Sequence, residues 1–406
     1  MSSPAASGTP LRGARQPVRV TAVSSSPRAL LVSPPVYDFA LYDLHMAPLG
    51  LHGVSRALEA AGWHVRVIDA LAVDDAESRA QLGIPRRRPD GTGKFFRRRV
   101  PWPAARRPVE RAYARYGIIE DSLRRRIAAA VAPSAPGGAP TVSALAAGAR
   151  GLPPDLILVG TGMTYWYPGV AEAVALCREV YPHVPVVAGG TYATLLPEHC
   201  RAVTGADVAE SIEDLDDLLS GLGLSGSEHD GAGAGRPAVC ANGRGSAAVR
   251  LNEGCPYHCD YCASHCLSPG FTAGDPDAAF AEVRHLHEQE GVRNFAFYDD
   301  ALLVGKRRVF HRFLERVIDH WPRPGNARGG GTGPGDPDGP RFYLPNALHM
   351  RHLSFETAWL MQAAGVQEVR LGFESDAAAF HTAHDAGGGP GAKAGPGAKA
   401  GPGAKA

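Results

Sequence analysis

The chain has 406 residues, 44% hydrophobic and 20% charged, the values of a globular protein rather than of a wholly disordered chain. Lys and Arg number 42 against 41 Asp and Glu, a net charge of +1, so no global field draws the protein to nucleic acid or anionic lipid. No apolar run approaches the ~20 residues that span a bilayer, and Arg12, Arg15, Arg19 and Arg28 are scattered among Pro and Ser, which predicts a cytoplasmic protein without a membrane span.

At roughly 150 residues per domain, the length predicts two or three domains. Residues 1–27 are small, polar and Pro-rich and read as a disordered tail. Residues 29–32 form a short apolar run closed by Ser33-Pro34-Pro35, a buried strand ending in a loop. Val54, Leu58 and Ala61 recur at helical spacing, Gly62 stops that helix, and 64–69 reads as the next strand, which makes a βαβ unit. From 82 to 149 the pattern breaks into arginine clusters interleaved with Phe95, Phe96, Trp102, Tyr113 and Tyr116, a partly helical insertion. Its guanidinium groups suit a phosphorylated, nucleic-acid or lipid-linked substrate, but a solvated helical surface is the favoured reading, since similar clusters are common on ordinary surfaces. The rhythm resumes with a strand at 155–160, a helix at 169–180 and a strand at 184–188 that runs into Gly189-Gly190. The two blocks predict a doubly wound, Rossmann-like parallel sheet over 28–221.

Residues 222–245 are Gly-rich and predict a flexible linker. Beyond it, strands at 247–251, 294–298, 341–344 and 368–371 alternate with helices at 277–290, 309–321 and 355–364, with a Gly/Pro insertion at 323–340. Four βα steps begin a (β/α) barrel over 246–376. A closed barrel needs more strands, and 377–406 decay into three copies of Gly-Pro-Gly-Ala-Lys-Ala, so the barrel is expected to be truncated. A frameshifted or shortened reading frame and a natural low-complexity tail both produce this pattern.

Seven cysteines are too few for a disulfide framework in a chain this long. Cys255, Cys259, Cys262 and Cys266 crowd together while Cys177, Cys200 and Cys240 stand alone. Cys255-Pro-Tyr-His-Cys259-Asp-Tyr-Cys262 sets three thiols on a loop between a strand and a helix. A structural zinc site needs four closed ligands, and iron–sulfur clusters usually take four cysteines, so three thiolates on one cluster leave one iron open. Zinc with Cys266 or His258 as a fourth ligand is the alternative on spacing alone.

Cys-x3-Cys-x2-Cys after the first barrel strand, with Tyr261 before the third cysteine, resembles the radical S-adenosylmethionine (SAM) enzymes over 249–375. The resemblance implies that Cys255, Cys259 and Cys262 hold a [4Fe-4S] cluster. Its open iron would chelate the amino and carboxylate groups of SAM, and one electron, from a donor such as a flavodoxin or ferredoxin, would cleave the sulfonium to a 5′-deoxyadenosyl radical. Tyr261 would lie against the adenine. Asp299 and Asp300 stand where many members carry Gly-Gly-Glu, a departure shared by relatives with an N-terminal cobalamin domain; an acidic helix cap is the other reading of the pair. Glu374 and Ser375 resemble the contact to the SAM ribose or amino-acid end, and Asn346 and Arg370 point to the same mouth, where barrel active sites are built.

A doubly wound domain ahead of such a core resembles the cobalamin-binding class of radical SAM enzymes. Thr161 and Gly162 after one strand and Gly189 and Gly190 after the next would then face cobalamin, although Gly-Gly after a strand also serves a generic tight turn. Asp43-Leu44-His45 approaches the Asp-x-His-x-x-Gly of histidine-ligated cobalamin but has Pro48 in place of the glycine, so His45 is not expected to hold cobalt. The expected activity is hydrogen abstraction or cobalamin-dependent methyl transfer on an unknown small-molecule or macromolecular substrate. A zinc-stabilised binding protein and an inactive, truncated remnant are the alternatives.

Overall fold

The computed structural model describes residues 27–101, 112–129, 152–221, 238–259, 262–268, 270–323 and 339–372. In chain order, the first part comprises β1 (Arg28–Ser33), β2 (Val36–Asp38), α1 (Leu49–Ala60), β3 (His64–Asp69), α2 (Ala76–Leu82), β4 (Arg97–Arg99), β5 (Ala114–Tyr116) and α3 (Glu120–Ala128). It continues with β6 (Leu156–Thr161), α4 (Tyr167–Val180), β7 (Val186–Gly190), α5 (Thr191–Leu195), α6 (Pro197–Thr204), β8 (Asp207–Ala209) and α7 (Ile212–Gly221). The second part comprises β9 (Ala238–Ala241), β10 (Ser246–Arg250), β11 (Asn252–Gly254), α8 (Ser264–Leu267), β12 (Phe271–Ala273), α9 (Pro276–Glu290) and β13 (Asn294–Phe297). It closes with α10 (Phe310–His320), β14 (Arg341–His349), α11 (Phe355–Ala364) and β15 (Val366–Gly372).

The first sheet is parallel throughout, in the order β3-β1-β6-β7-β8. Its interior strand β1 carries an unbroken apolar run, Ala29 to Val32, because both faces are covered. Leu30 and Val32 enter one core with Ile157, Val159 and the helix residues Leu123 and Val170. Ala29 and Leu31 enter the other with Leu156, Leu158 and Leu51 and Leu58 of α1. Full burial of each leucine contributes about 1.5–3 kcal/mol.

The second sheet runs β15-β14-β13-β10-β9, with β10, β13, β14 and β15 parallel and β9 antiparallel on the edge of β10. Phe295, Phe297 and Phe342 pack one face against Phe310 and Phe313 of α10, with the rings of Phe297 and Phe342 stacked at 5.6 Å. The sheet includes four parallel strands and is open among the described residues. The register between β14 and β15 shifts at Leu344/Leu348, so β14 runs on to His349, past the expected end of that strand.

Two expectations change. Within the insertion, β4 and β5 join β2 in a three-stranded antiparallel sheet, so this segment is part strand and not only part helix. Arg115 of β5 is buried there, its guanidinium donating to both oxygens of Glu172 and to the Ile118 carbonyl. Tyr37 donates to the same carboxylate at 2.7 Å. The stretch expected to be a linker ends in β9, whose pairing with β10 makes its last residues, 238–245, a hairpin. No helix among the described residues is long and apolar enough to cross a membrane.

Candidate functional site

The strand order sets β1 between β3 and β6, with the chain leaving its carboxyl end toward β3 on one side and later entering β6 on the other. At such a switch point adjacent loops diverge and open a crevice. A cavity of about 410 Å³ lies there, lined among others by Ser33, Pro34, Gly160, Leu51, Leu158 and Val187. Thr161, Gly162, Gly189 and Gly190 all line it. The glycines keep the wall thin: a Cβ on Gly162 would come within 2.7 Å of the Trp166 ring, and one on Gly190, at φ +107°, within 2.6 Å of the Thr161 carbonyl. The Thr161 hydroxyl accepts the Ala193 amide at 3.1 Å, which fixes the start of α5. Trp166, held by Asp38 at 2.8 Å through its indole N–H, closes the same wall.

Sequence reasoning missed three charged lining groups, Asp69, Glu210 and Arg244. Arg244 sits between two glycines in a stretch that reads as linker, and no local pattern marks it as buried. His45, by contrast, does not line the cavity; its ring is buried against Tyr343 of β14, centroids 4.4 Å apart. Burial lowers its pKa.

The cysteine loop leaves β10 at the carboxyl end of the second sheet. Its first turn is pegged by Asp299, at the end of β13, whose buried carboxyl accepts the amides of Leu251 at 3.0 Å and Asn252 at 2.6 Å. Burial pushes this carboxyl up to about 7, against the opposing effect of the two amides. Asn346 of β14 donates to the Asp299 carbonyl at 3.3 Å, so the segments that follow β10 and β13 are tied to β14. Asp300 is exposed. Arg370 on β15 reaches back to Glu368 at 2.9 Å, on its own strand and not on the cysteine loop. Tyr261, Glu374 and Ser375 lie outside the described residues.

Cys255, Cys259 and Cys262 are all partly buried. The Cys262 amide donates to the Cys259 carbonyl at 3.0 Å, and the Ser264 amide to the Cys262 sulfur at 3.5 Å. Burial pushes the Cys255 thiol up, against the opposing effect of the Tyr257 backbone amide, and the neighbouring Asp300, Cys259 and Cys262 add to the rise. Among the described residues no three His, Cys, Asp or Glu side chains already stand in chelating array. A cation shared by the three would remove their mutual repulsion, and the donor set suits iron with sulfide better than zinc. Cys266 is exposed, and the His258 ring lies 5.4 Å from the His265 ring. Tyr257 stacks on His352 at 5.8 Å, and its hydroxyl meets the ring Nε2 at 2.7 Å, forming an aromatic wall beside the loop.

The two places adjoin. Helix α5 follows Gly190 directly, α8 follows Cys262 closely, and the two helices are in contact. The carboxyl edge of the first sheet therefore faces the cysteine loop of the second.

No protein-family profile matches the chain. No curated protein matches it either. Among solved structures, the radical S-adenosylmethionine methyltransferase TsrM from Kitasatospora setae, with tryptophan substrate and a SAM analogue (aza-SAM) bound, is similar with a TM-score of 0.55 at 14% identity, covering 89% of this chain and 62% of that one. TsrM with cobalamin and a [4Fe-4S] cluster bound gives a TM-score of 0.50 at 14% identity, covering 86% of this chain and 61% of that one. The chain thus spans about three fifths of the length of these structures, and what it shares with them is a mixed α/β fold built on a parallel sheet.

Proposed function

We propose that the chain is a radical SAM-type enzyme that uses cobalamin, acting in methyl transfer or related radical chemistry. One observation carries the reading: the apolar switch-point cavity and the three-thiol loop adjoin, joined by the contact of α5 with α8. Cys255, Cys259 and Cys262 hold the [4Fe-4S] cluster, and Thr161, Gly162, Gly189 and Gly190 face cobalamin. Asp300, Asn346 and Arg370, with Tyr261, Glu374 and Ser375, form the SAM side of the mouth. Asp299 acts differently: with both carboxyl oxygens on backbone amides, it sets the angle at which the loop leaves β10. The bound cofactors supply one-electron cleavage of a sulfonium and a transferable methyl group. The chain supplies orientation, a largely apolar wall that excludes water, and thiols that must lose their protons to bind metal.

Anaerobic reconstitution with iron and sulfide tests this. A brown protein with charge-transfer absorption is expected, with the colour lost in Cys259→Ala. With SAM, hydroxocobalamin and a strong reductant, 5′-deoxyadenosine or S-adenosylhomocysteine is expected. Colourless protein carrying stoichiometric zinc would overturn the reading; a coloured protein that never consumes SAM would mark an inactive member of the fold.

A further inference from the structure

The cavity wall is not supplied by the first sheet alone. Arg244, at the tip of the β9–β10 hairpin, belongs by sequence to the second sheet, yet it lines the cavity of the first. The turn Asn242-Gly243-Arg244-Gly245 permits this, because Gly243 and Gly245 take positive φ of 66° and 85°. Asn242 braces it, its carboxamide accepting the Arg244 amide at 2.9 Å and donating to the Met46 carbonyl at 3.3 Å. The guanidinium is only 3% exposed and bridges Asp43 at 2.8 Å and Asp69 at 2.9 Å. It also donates to the Met46 carbonyl and lies over the Phe95 ring at 5.4 Å. Asp43, fully buried, shares its charge with Arg87 at 2.8 Å. Met46, Asp69 and Arg244 all line the cavity, so the residues that dock the two sheets are also part of its lining.

We infer that Arg244 is a positioning residue that makes the switch-point cavity a two-domain site, coupling ligand occupancy there to docking of the second sheet on the first. The inference rests on the reading of this cavity as the cobalamin site. A ligand that touches a wall made from both halves binds the docked form better than the undocked one, and by linkage it strengthens docking by the same factor. Arg244 suits this role because its fork spans two carboxylates of the first domain, a geometry that a lysine meets only in part.

The test uses the full chain and hydroxocobalamin, titrated by absorbance, with hydrogen exchange followed in peptides covering 43–48 and 238–250. In the wild type, ligand is expected to slow exchange in both peptides together. Arg244→Gln is expected to bind about tenfold more weakly and to lose the shared protection, with Arg244→Lys between the two. Glu282→Ala serves as control: it breaks the Arg56–Glu282 pair, 3.0 Å long, which also joins the two halves but does not line the cavity. It is expected to bind as the wild type does. Unchanged affinity in folded Arg244→Gln, protection confined to 43–48, or an equal loss in Glu282→Ala would each overturn the coupling while leaving the cobalamin reading intact. A wild type that binds no hydroxocobalamin would overturn that reading, and the coupling with it.

Discussion

Burial divides the thiols of this chain into two chemical classes. Cys177 and Cys240 are buried and pushed up to about 12, whereas Cys266 stands in solvent. Alkylation follows the thiolate. Brief treatment of folded protein with iodoacetamide at mildly basic pH, read by mass spectrometry, is therefore expected to label Cys266 and to spare Cys177 and Cys240 until denaturant is added. Asp299 gives a second residue-scale prediction. An ordinary aspartate titrates near 3.9, and burial holds this one at about 7. Below about pH 4 the carboxyl is neutral in both states and its contribution is complete; as pH rises toward 7 the unfolded chain gives up the proton that the folded chain retains, so stability is lost, and above that it levels off. The Tm of the wild type minus that of Asp299→Asn is expected to fall between about pH 4 and about pH 7 and then stay constant. At this scale the sequence displayed the cysteine spacing and the glycines after the strands plainly. Arg244 was hidden, because its flanking glycines carry the composition of a linker while its carboxylate partners lie 175 and 201 residues away.

Helix α4 begins so close to the loop after β1 that a Cβ on Gly169 would lie 1.7 Å from the Pro35 carbonyl oxygen. Gly169→Ala must push α4 and that loop apart, and is expected to cost about 1–3 kcal/mol or more in urea unfolding. Helix α9 is started by Asp275, whose carboxylate accepts the amides of Asp277 at 2.9 Å and Ala278 at 3.3 Å. Asp275→Ala is expected to cost about 1 kcal/mol in the same measurement. The long helices and the parallel strands are legible because their apolar spacing is local and periodic, and Gly62, Gly291 and Gly365 punctuate them. The small antiparallel sheet is not legible: β4 is Arg97-Arg98-Arg99, exposed and charged, and it becomes a strand only through pairing with β5. Non-local pairing of three-residue strands leaves no local pattern in composition.

Across the whole molecule, the two halves meet through groups of unequal worth. The Arg56–Glu282 pair is largely solvent-exposed and contributes about 0–1 kcal/mol, whereas Tyr298, which donates to the Leu44 carbonyl at 2.8 Å, is partly buried. Tyr298→Phe leaves that carbonyl without its partner and is expected to cost about 1–3 kcal/mol in urea unfolding, more than Glu282→Ala does. The order of the two α/β units could be read along the chain. Their mutual face could not, since its hydrogen bonds join residues as far as 254 apart in sequence. The peg formed by Asp299 on Leu251 and Asn252 belongs to this scale as well, because it anchors the cysteine loop to β13 with bonds made by the protein alone. Small zinc modules collapse when stripped of metal because the metal is their core; here the cores lie elsewhere, among the leucines of β1 and the phenylalanines of β13 and β14. A chelator that bleaches the reconstituted protein is accordingly expected to leave its far-ultraviolet circular dichroism unchanged, and the bleaching to reverse without refolding.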